Sequence, residues 1–304
     1  MGSSDYGSFL CELFCFDFLM AAFGGKIIKE CTGSKALSIG AYAALLFLPA
    51  VIFNSAFLGQ SDAIFTAFVL LAVLMLMKKH YFWSFIFLGC AFSFKLQFVF
   101  IIPLFVICYV CMSKFSVLNF VLIPLTLMVL SIPAYIAGRP VMDVFKIYFF
   151  QVYQYHDMSL GYPSFWYVIN IADFKAFYKF AILLTIAVLG FVLYYTLKRK
   201  IDMSQPKTIL LVGALTAWTC VFFLPDMHER YGYMTDILMV LLCFAEPEFV
   251  PFAVVPPLLS TSVYFGHYGD MNMRIVSGIA FAAYALFMRK WISKTKSLDY
   301  IENA

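Results

Sequence analysis

Between two apolar runs, 209–223 and 234–244, lies the sequence Leu224-Pro225-Asp226-Met227-His228-Glu229-Arg230-Tyr231-Gly232-Tyr233, the densest cluster of ionisable side chains between long apolar runs of the chain. Pro225 lacks a backbone donor and restricts the residue before it, so the first run stops there. Asp226 is then expected to cap the next helix, leaving His228, Glu229 and Arg230 in its first turn. A helix start carries unpaired amides and positive dipole character. Adding a histidine and an arginine makes a candidate phosphate site. The simpler reading is a solvated turn that marks the bilayer surface.

Other chemistry-bearing residues are scattered along the chain. Gly59-Gln60-Ser61-Asp62 opens an apolar run. Ser61 or Asp62 can satisfy first-turn amides, or Gln60 and Asp62 can hold sugar hydroxyls or activate an acceptor hydroxyl. Lys95 lies in the nearly uncharged stretch 82–112, where a lysine costs several kcal/mol unless paired or wet. Snorkelling is its bland alternative, but Gln97 two residues on favours a polar break. Glu12 and Asp17 fall in the first apolar run, Arg274 at the start of the last, and Asp236 two turns beyond His228, where it can hold a partner such as Arg230. Cys108-Tyr109-Val110-Cys111 has zinc or redox spacing, yet its apolar setting, with no second pair, favours buried thiols. No Gly-rich phosphate loop or His-Glu-x-x-His motif is present.

The elements that must position these residues are membrane helices. Hydrophobic residues make up 63% of the chain and charged residues 12%, with a mean hydropathy of +0.90. A soluble domain of 304 residues cannot hide that much apolar side chain. Runs broken by short polar stretches indicate an all-α polytopic membrane protein rather than a barrel. The net charge of +4 supports no nucleic-acid partner. No signal peptide is recognisable at the N-terminus.

Eleven spans are expected, near 9–25, 36–56, 63–77, 81–94, 96–112, 117–136, 180–197, 208–224, 234–245, 249–265 and 273–288, in one domain over 1–304. Several fall short of the roughly 20 residues that cross a bilayer, as expected of broken helices lining a cavity. Nearly every second break is basic: Lys26, Lys29 and Lys35; Lys78, Lys79 and His80; Lys114; Lys198, Arg199, Lys200 and Lys207; Arg289, Lys290, Lys294 and Lys296. The positive-inside rule assigns these to the cytoplasm, with Glu246-Pro247-Glu248 an acidic exception, the C-terminus inside and the N-terminus outside. The remaining breaks then share the outer face: 58–62, 94–97, 138–179, the His228 turn and 266–270. In segment 138–179, the apolar spacing over 141–155 suits an interfacial helix. His156-Asp157 and the aromatic run Tyr162-Pro163-Ser164-Phe165-Trp166-Tyr167 follow, suited to sugar stacking or to the headgroup belt.

Gly59-Gln60-Ser61-Asp62-Ala63-Ile64-Phe65, Ala91-Phe92-Ser93-Phe94-Lys95-Leu96-Gln97 and Leu224-Pro225-Asp226-Met227-His228-Glu229-Arg230-Tyr231 occur in this order. In order and spacing the chain resembles bacterial C-type polytopic glycosyltransferases related to the second mannosyltransferase of GPI-anchor synthesis. Ala137-Gly138-Arg139-Pro140 adds to the likeness, which runs from about Phe14 to the His228 turn. The resemblance implies transfer of a mannose-like hexose from a polyprenyl-phosphate donor to a glycan or lipid-linked acceptor outside the cytoplasmic membrane, with inversion. By match to the motifs, His228, Arg230 and Lys95 are expected at the donor phosphate. Gln60, Gln97, Glu229 and Tyr231 are expected on the sugar and acceptor side. The family usually has a further helix before this region, then an outer loop with an acidic residue that acts as base or binds a divalent metal ion. Here Asp5 or Asp62 is the expected substitute, in what reads as an N-terminally shortened form.

Two other classes fit the same cations. A transporter or flippase for a lipid-linked or anionic substrate also lines its cavity with intramembrane charge, though the chain shows no matching halves. A non-catalytic relative of a transferase is the third.

Overall fold

The computed structural model describes residues 3–152, 154–266 and 271–302, the side chains of 3–10, 149, 152, 266 and 296–302 excepted. The described residues are helical, with no named strand. In chain order they form α1 (Ser3–Thr32), α2 (Lys35–Leu46), α3 (Pro49–Ile52) with a π-helical turn (Phe53–Phe57), α4 (Asp62–Met77) and α5 (Tyr81–Phe94). A 3-10 turn (Leu96–Ile101) leads into α6 (Ile102–Met112), and another (Val117–Val121) into α7 (Leu122–Leu130) and α8 (Ile132–Ile136). Then come α9 (Val141–Val152), α10 (Phe165–Ile169), α11 (Phe174–Lys198) and α12 (Pro206–Phe223). The chain continues through a 3-10 turn (Glu229–Gly232), α13 (Tyr233–Ala245), a further 3-10 turn (Pro247–Phe249), α14 (Val250–Ala253), α15 (Val255–Gly266) and α16 (Met273–Glu302).

All eleven expected apolar runs are thus helical. Length and composition mark four as able to cross a membrane: Phe174–Lys198, Pro206–Phe223, Pro247–Phe265 and Met273–Thr295. The pair Lys35–Leu46 and Pro49–Phe57, bent by 46°, makes a fifth if counted as one span. The helix Asp62–Met77 has 16 residues, about 24 Å at 1.5 Å per residue, against a hydrocarbon core of about 30 Å. Several boundaries differ from expectation, among them the start of α1 at Ser3 and the end of α16 at Glu302. The first helix runs on to Thr32, where Gly33, at a φ of +70°, returns its amide to the Lys29 carbonyl at 2.8 Å. The helix expected at 180–197 begins at Phe174, because Asp173 caps it by accepting from the Ala176 amide at 3.1 Å.

Helix α12 is the centre of the bundle. Every residue from Ile209 to Phe223 is buried, as its apolar character on all faces requires. It packs against α6, α11 and α13, and α4 is nearly as enclosed. The breaks sort to two ends. At one end Lys95 meets Asp62, and segment 157–162 meets Asp226 and Met227. At the other, Glu246 and Glu248 pair with Lys207, Lys290 and Lys294. The acidic exception among the basic breaks is therefore their counter-charge. The amphipathic α9 is pinned at the first end by Tyr148, whose hydroxyl donates to the Phe92 carbonyl at 2.8 Å and whose ring lies 4.5 Å from that of Phe92. Its Val141, Met142 and Phe150 stay exposed, as on an interfacial helix.

Helices α5 and α7 approach closely at Gly89. A Cβ there would lie 2.5 Å from Thr126 Cβ and 2.9 Å from the Ile123 carbonyl oxygen. Gly89→Ala must push the helices apart and is expected to cost about 1–3 kcal/mol. Gly190→Ala, with no atom within 4 Å of the added carbon, is expected to be neutral or stabilising, as a helix interior prefers alanine. Thermal unfolding of both variants in detergent checks the contrast.

Candidate functional site

The break at Lys95 is a real interruption. Helix α5 ends with Lys95 in extended backbone (φ −153°, ψ 138°), and the 3-10 turn starts at Leu96. Its ammonium lies 2.5 Å from Asp62 Oδ1, and Asn54 Nδ2 donates to Asp62 Oδ2 at 2.9 Å. Asp62 is 1% exposed and Asn54 fully buried. Neither Ser61 nor Asp62 caps α4 through its side chain. The carboxylate instead serves the lysine, which satisfies both charges where neither stands alone cheaply. One turn of chain away, Ser55 Oγ donates to Asp17 Oδ1 at 2.9 Å, so the buried carboxylate of α1 is also held. Glu12 is exposed.

The 224–233 turn departs from the expected helix start. Asp226 takes left-handed backbone at φ +60° and caps no helix. Its amide donates to the Asp157 carbonyl at 3.1 Å, and its Oδ1 accepts from the Asp157 amide at 3.0 Å. The Leu160 and Tyr162 amides both donate to the Met227 carbonyl, at 3.1 and 3.2 Å. Trp166 Nε1 adds a 2.9 Å bond to the Phe223 carbonyl, pinning the segment before α11 to the end of α12. Segment 157–162 thus lies along the turn as a short two-stranded strip. Helix α13 starts only at Tyr233, after the 3-10 turn. Asp236 is buried within α13, makes no ion pair among the described residues and sits beside Ser260. It does not hold Arg230, whose guanidinium instead lies 3.6 Å from Glu229.

These elements enclose a cleft of about 790 Å³. Lys95 and Gln97 line it from the α5 break, Arg230 and Tyr231 from the turn, Gln151, Gln154, Tyr155 and His156 from the end of α9 and the chain after it, and Lys175 from the first turn of α11. Phe100, Phe174, Tyr178, Ile182, Leu224 and Met227 supply an apolar wall. Three cations face one carboxylate, Asp226, with Asp62 and Glu229 holding Lys95 and Arg230 from behind. Arginine offers five donors and lysine three, so both keep donors for a ligand after these contacts.

Of the residues singled out from sequence, Lys95, Gln97, Arg230 and Tyr231 share the cleft wall. His228 and Glu229 stand one layer back. The His228 ring packs edge-on against Tyr155 and Tyr231, with centroids at 4.5 and 5.0 Å, and its Nδ1 lies 3.9 Å from Glu229. His228 Nε2 and Arg230 Nε are buried without a hydrogen-bond partner among the described residues. Gln60 is half-buried and reaches the site through its amide bond to the Asn54 carbonyl rather than by lining the cleft. Asp5 lies in the first turn of α1, with its side chain outside the described residues, as are His267 and Asp270. Sequence reasoning missed Asn54 and Lys175 as members, and named His156 without giving it a role of its own in the site. Asn54 carried a signal, being an amide within an apolar run. Lys175 was hidden by a helix start read too late.

Burial, joined by Arg230, pulls the His228 imidazole below its ordinary value, against the pull of Glu229. It is therefore mostly neutral at pH 7, and the fixed cations of the site are Lys95, Lys175 and Arg230. Burial pushes the Asp226 carboxyl up to about 6, against its bond from the Asp157 amide. Among the described residues no group of three or more His, Cys, Asp or Glu is placed to hold a metal ion. No protein-family model matches the chain, and no curated protein matches it in sequence.

Two outcomes follow from this geometry. Asp62→Leu strands the Lys95 charge and is expected to cost about 3 kcal/mol or more, while Asp62→Leu with Lys95→Met recovers most of the loss. Denaturant unfolding of the single and double variants measures the coupling. For Asp226, the folded state binds more protons than the unfolded chain between about pH 4 and 6, so its contribution to stability grows as pH falls through 6. Asp226→Asn keeps the acceptor for Asp157 but not the titration. The stability gap between wild type and Asp226→Asn is expected to narrow as pH drops from 7 to 4.5, read from melting midpoints.

Proposed function

We propose that this protein is a membrane glycosyltransferase that moves a mannose-like hexose from a polyprenyl-phosphate donor to a glycan or lipid-linked acceptor. One observation carries the reading: residues from two distant sequence motifs, Lys95 and Gln97 of one and Arg230 and Tyr231 of the other, line a single cleft together with an apolar wall. An amphipathic ligand with a phosphate head and a hydrocarbon tail matches both surfaces. A soluble anion has no use for the apolar wall, and a neutral lipid has none for the cations.

In the proposed reaction the acceptor hydroxyl attacks the sugar C1 as the bond from C1 to the phosphate oxygen breaks, with inversion. Negative charge grows on the departing phosphate, and Arg230 and Lys95, held in place by Glu229 and Asp62, stabilise it there. Lys175 lines the same cleft from the first turn of α11. Neutral His228 packs behind Tyr155 and Tyr231 and orients these two tyrosines, which both line the cleft. The acceptor proton passes to a carboxylate. Both oxygens of Asp62 are already engaged, so we assign Asp62 to holding Lys95 and leave Asp5 as the residue the resemblance offers as base. Gln60 and Gln97 belong to the sugar side. No step is routed through a metal ion.

The same reading takes all eleven helical runs as spans, with the basic breaks cytoplasmic. The cleft then opens on the outer face of a bacterial cytoplasmic membrane.

Arg230→Ala is expected to lower sugar release from a radiolabelled polyprenyl-phosphate hexose by about 100-fold or more in proteoliposomes, as removal of a charge-stabilising donor does, while folding is retained. Lys175→Ala is expected to cost less, since among the described residues no carboxylate forms an ion pair with that side chain. Unchanged turnover by Arg230→Ala defeats the assignment. Movement of labelled substrate across the bilayer, without sugar transfer, hands the cleft to a transporter.

A further inference from the structure

A second cleft lies at the other end of α4. Asp62 and Lys78 bracket this helix of 16 residues, so the two sites are about 24 Å apart along it. The second cleft, of about 530 Å³, lies between the last turns of α1 and α4 and is rimmed by Lys26, Lys29 and Lys78, with Glu30 as its one carboxylate. Its floor is apolar: Leu71, Leu74 and Met75. The charge there is poorly matched. Lys78 and Glu30 stand 4.0 Å apart, whereas on the neighbouring ion cluster Lys290 and Lys294 both reach Glu248 at 2.7 Å. Lys26 rests over the Phe23 ring at 5.7 Å, its contact among the described residues being aromatic rather than ionic. All three lysines are exposed, and they form one rim, not a scatter.

We propose that this cleft binds the phosphate of an anionic phospholipid headgroup, with the first methylenes of the acyl chain on Leu71 and Met75. Lysines at a membrane surface gain attraction from anionic lipid roughly in proportion to their number. A phosphate bridging Lys26, Lys29 and Lys78 supplies the counter-charge that Glu30 alone does not. A free phosphate shares the headgroup chemistry, but it leaves the apolar floor uncovered. The site shares no residue with the cleft at Lys95 and stands independently of the transferase reading.

The test measures lipid retention and melting temperature of the full chain in detergent, titrated with phosphatidylglycerol, with phosphatidylcholine and, separately, with inorganic phosphate. Phosphatidylglycerol is expected to bind at least tenfold more tightly than phosphatidylcholine and to raise the melting temperature. Lys26→Gln/Lys29→Gln/Lys78→Gln is expected to weaken phosphatidylglycerol binding by at least tenfold, and Glu30→Gln to strengthen it. Because all four side chains are exposed, folding is expected to survive, and circular dichroism checks this. Equal retention of the two lipids, or a triple variant indistinguishable from wild type, overturns the site. Equal stabilisation by inorganic phosphate without lipid overturns the lipid assignment in favour of a soluble anion.

Discussion

A lysine ammonium cannot sit alone in a bundle this apolar, and the chain answers that constraint with Asp62. The pair joins residues 33 positions apart and fixes the end of α4 against the break after α5. Asn54 completes it from the π-helical turn. Removing water from two charges costs more than their attraction returns unless geometry and further hydrogen bonds compensate. The carboxylate here has both oxygens occupied. What the arrangement leaves over is the side of the lysine that lines the cleft, with donors that no other group among the described residues takes up. A structural pair thereby becomes one wall of a cleft.

The opposite wall is made by a different device. Pro225 ends α12, and left-handed Asp226 turns the chain so that its amide and carboxylate both face Asp157. Segment 157–162 is then laid along the turn by backbone bonds to Met227. Gly161, at a φ of +96°, allows this strip to pass Glu229, for a Cβ there would lie 3.2 Å from Oε2 of that glutamate. Gly232 does the same for Tyr162, whose ring occupies the space of the missing Cβ at 2.5 Å. The small residues around the charged cluster therefore follow from packing, and the cluster is held without a conventional helix cap.

Much of the architecture was legible in the sequence, because apolar runs and basic breaks are written residue by residue. Each run proved helical, and two of the breaks that alternation groups together meet in space, as Lys95 with Asp62 shows. Ion pairs between Glu246 or Glu248 and the lysines of other breaks show the same at the far end. Span number was less legible: run length alone does not separate a crossing helix from a short one such as α4. Of the site, the two cations and the two polar neighbours that line the cleft stood out by their unlikely setting. The roles of Asp62 and Asp226 did not, because a carboxylate before a helix looks like a cap whether it bonds its own helix or a segment 33 or 69 residues distant. Lys175 was lost to a six-residue error in one helix start, since Asp173 caps a helix whose first turns are too polar to read as membrane.

The central claim is that a lipid phosphate occupies the cleft between Lys95 and Arg230. Photo-crosslinking with a diazirine-bearing polyprenyl phosphate, followed by peptide mapping, tests it without requiring a known acceptor. Labels concentrated on 96–100, 174–182 and 224–231, and lost on competition with unmodified polyprenyl phosphate, are the predicted result. Labels spread over the exposed faces of α7, α8 and α16, insensitive to competition, would contradict it.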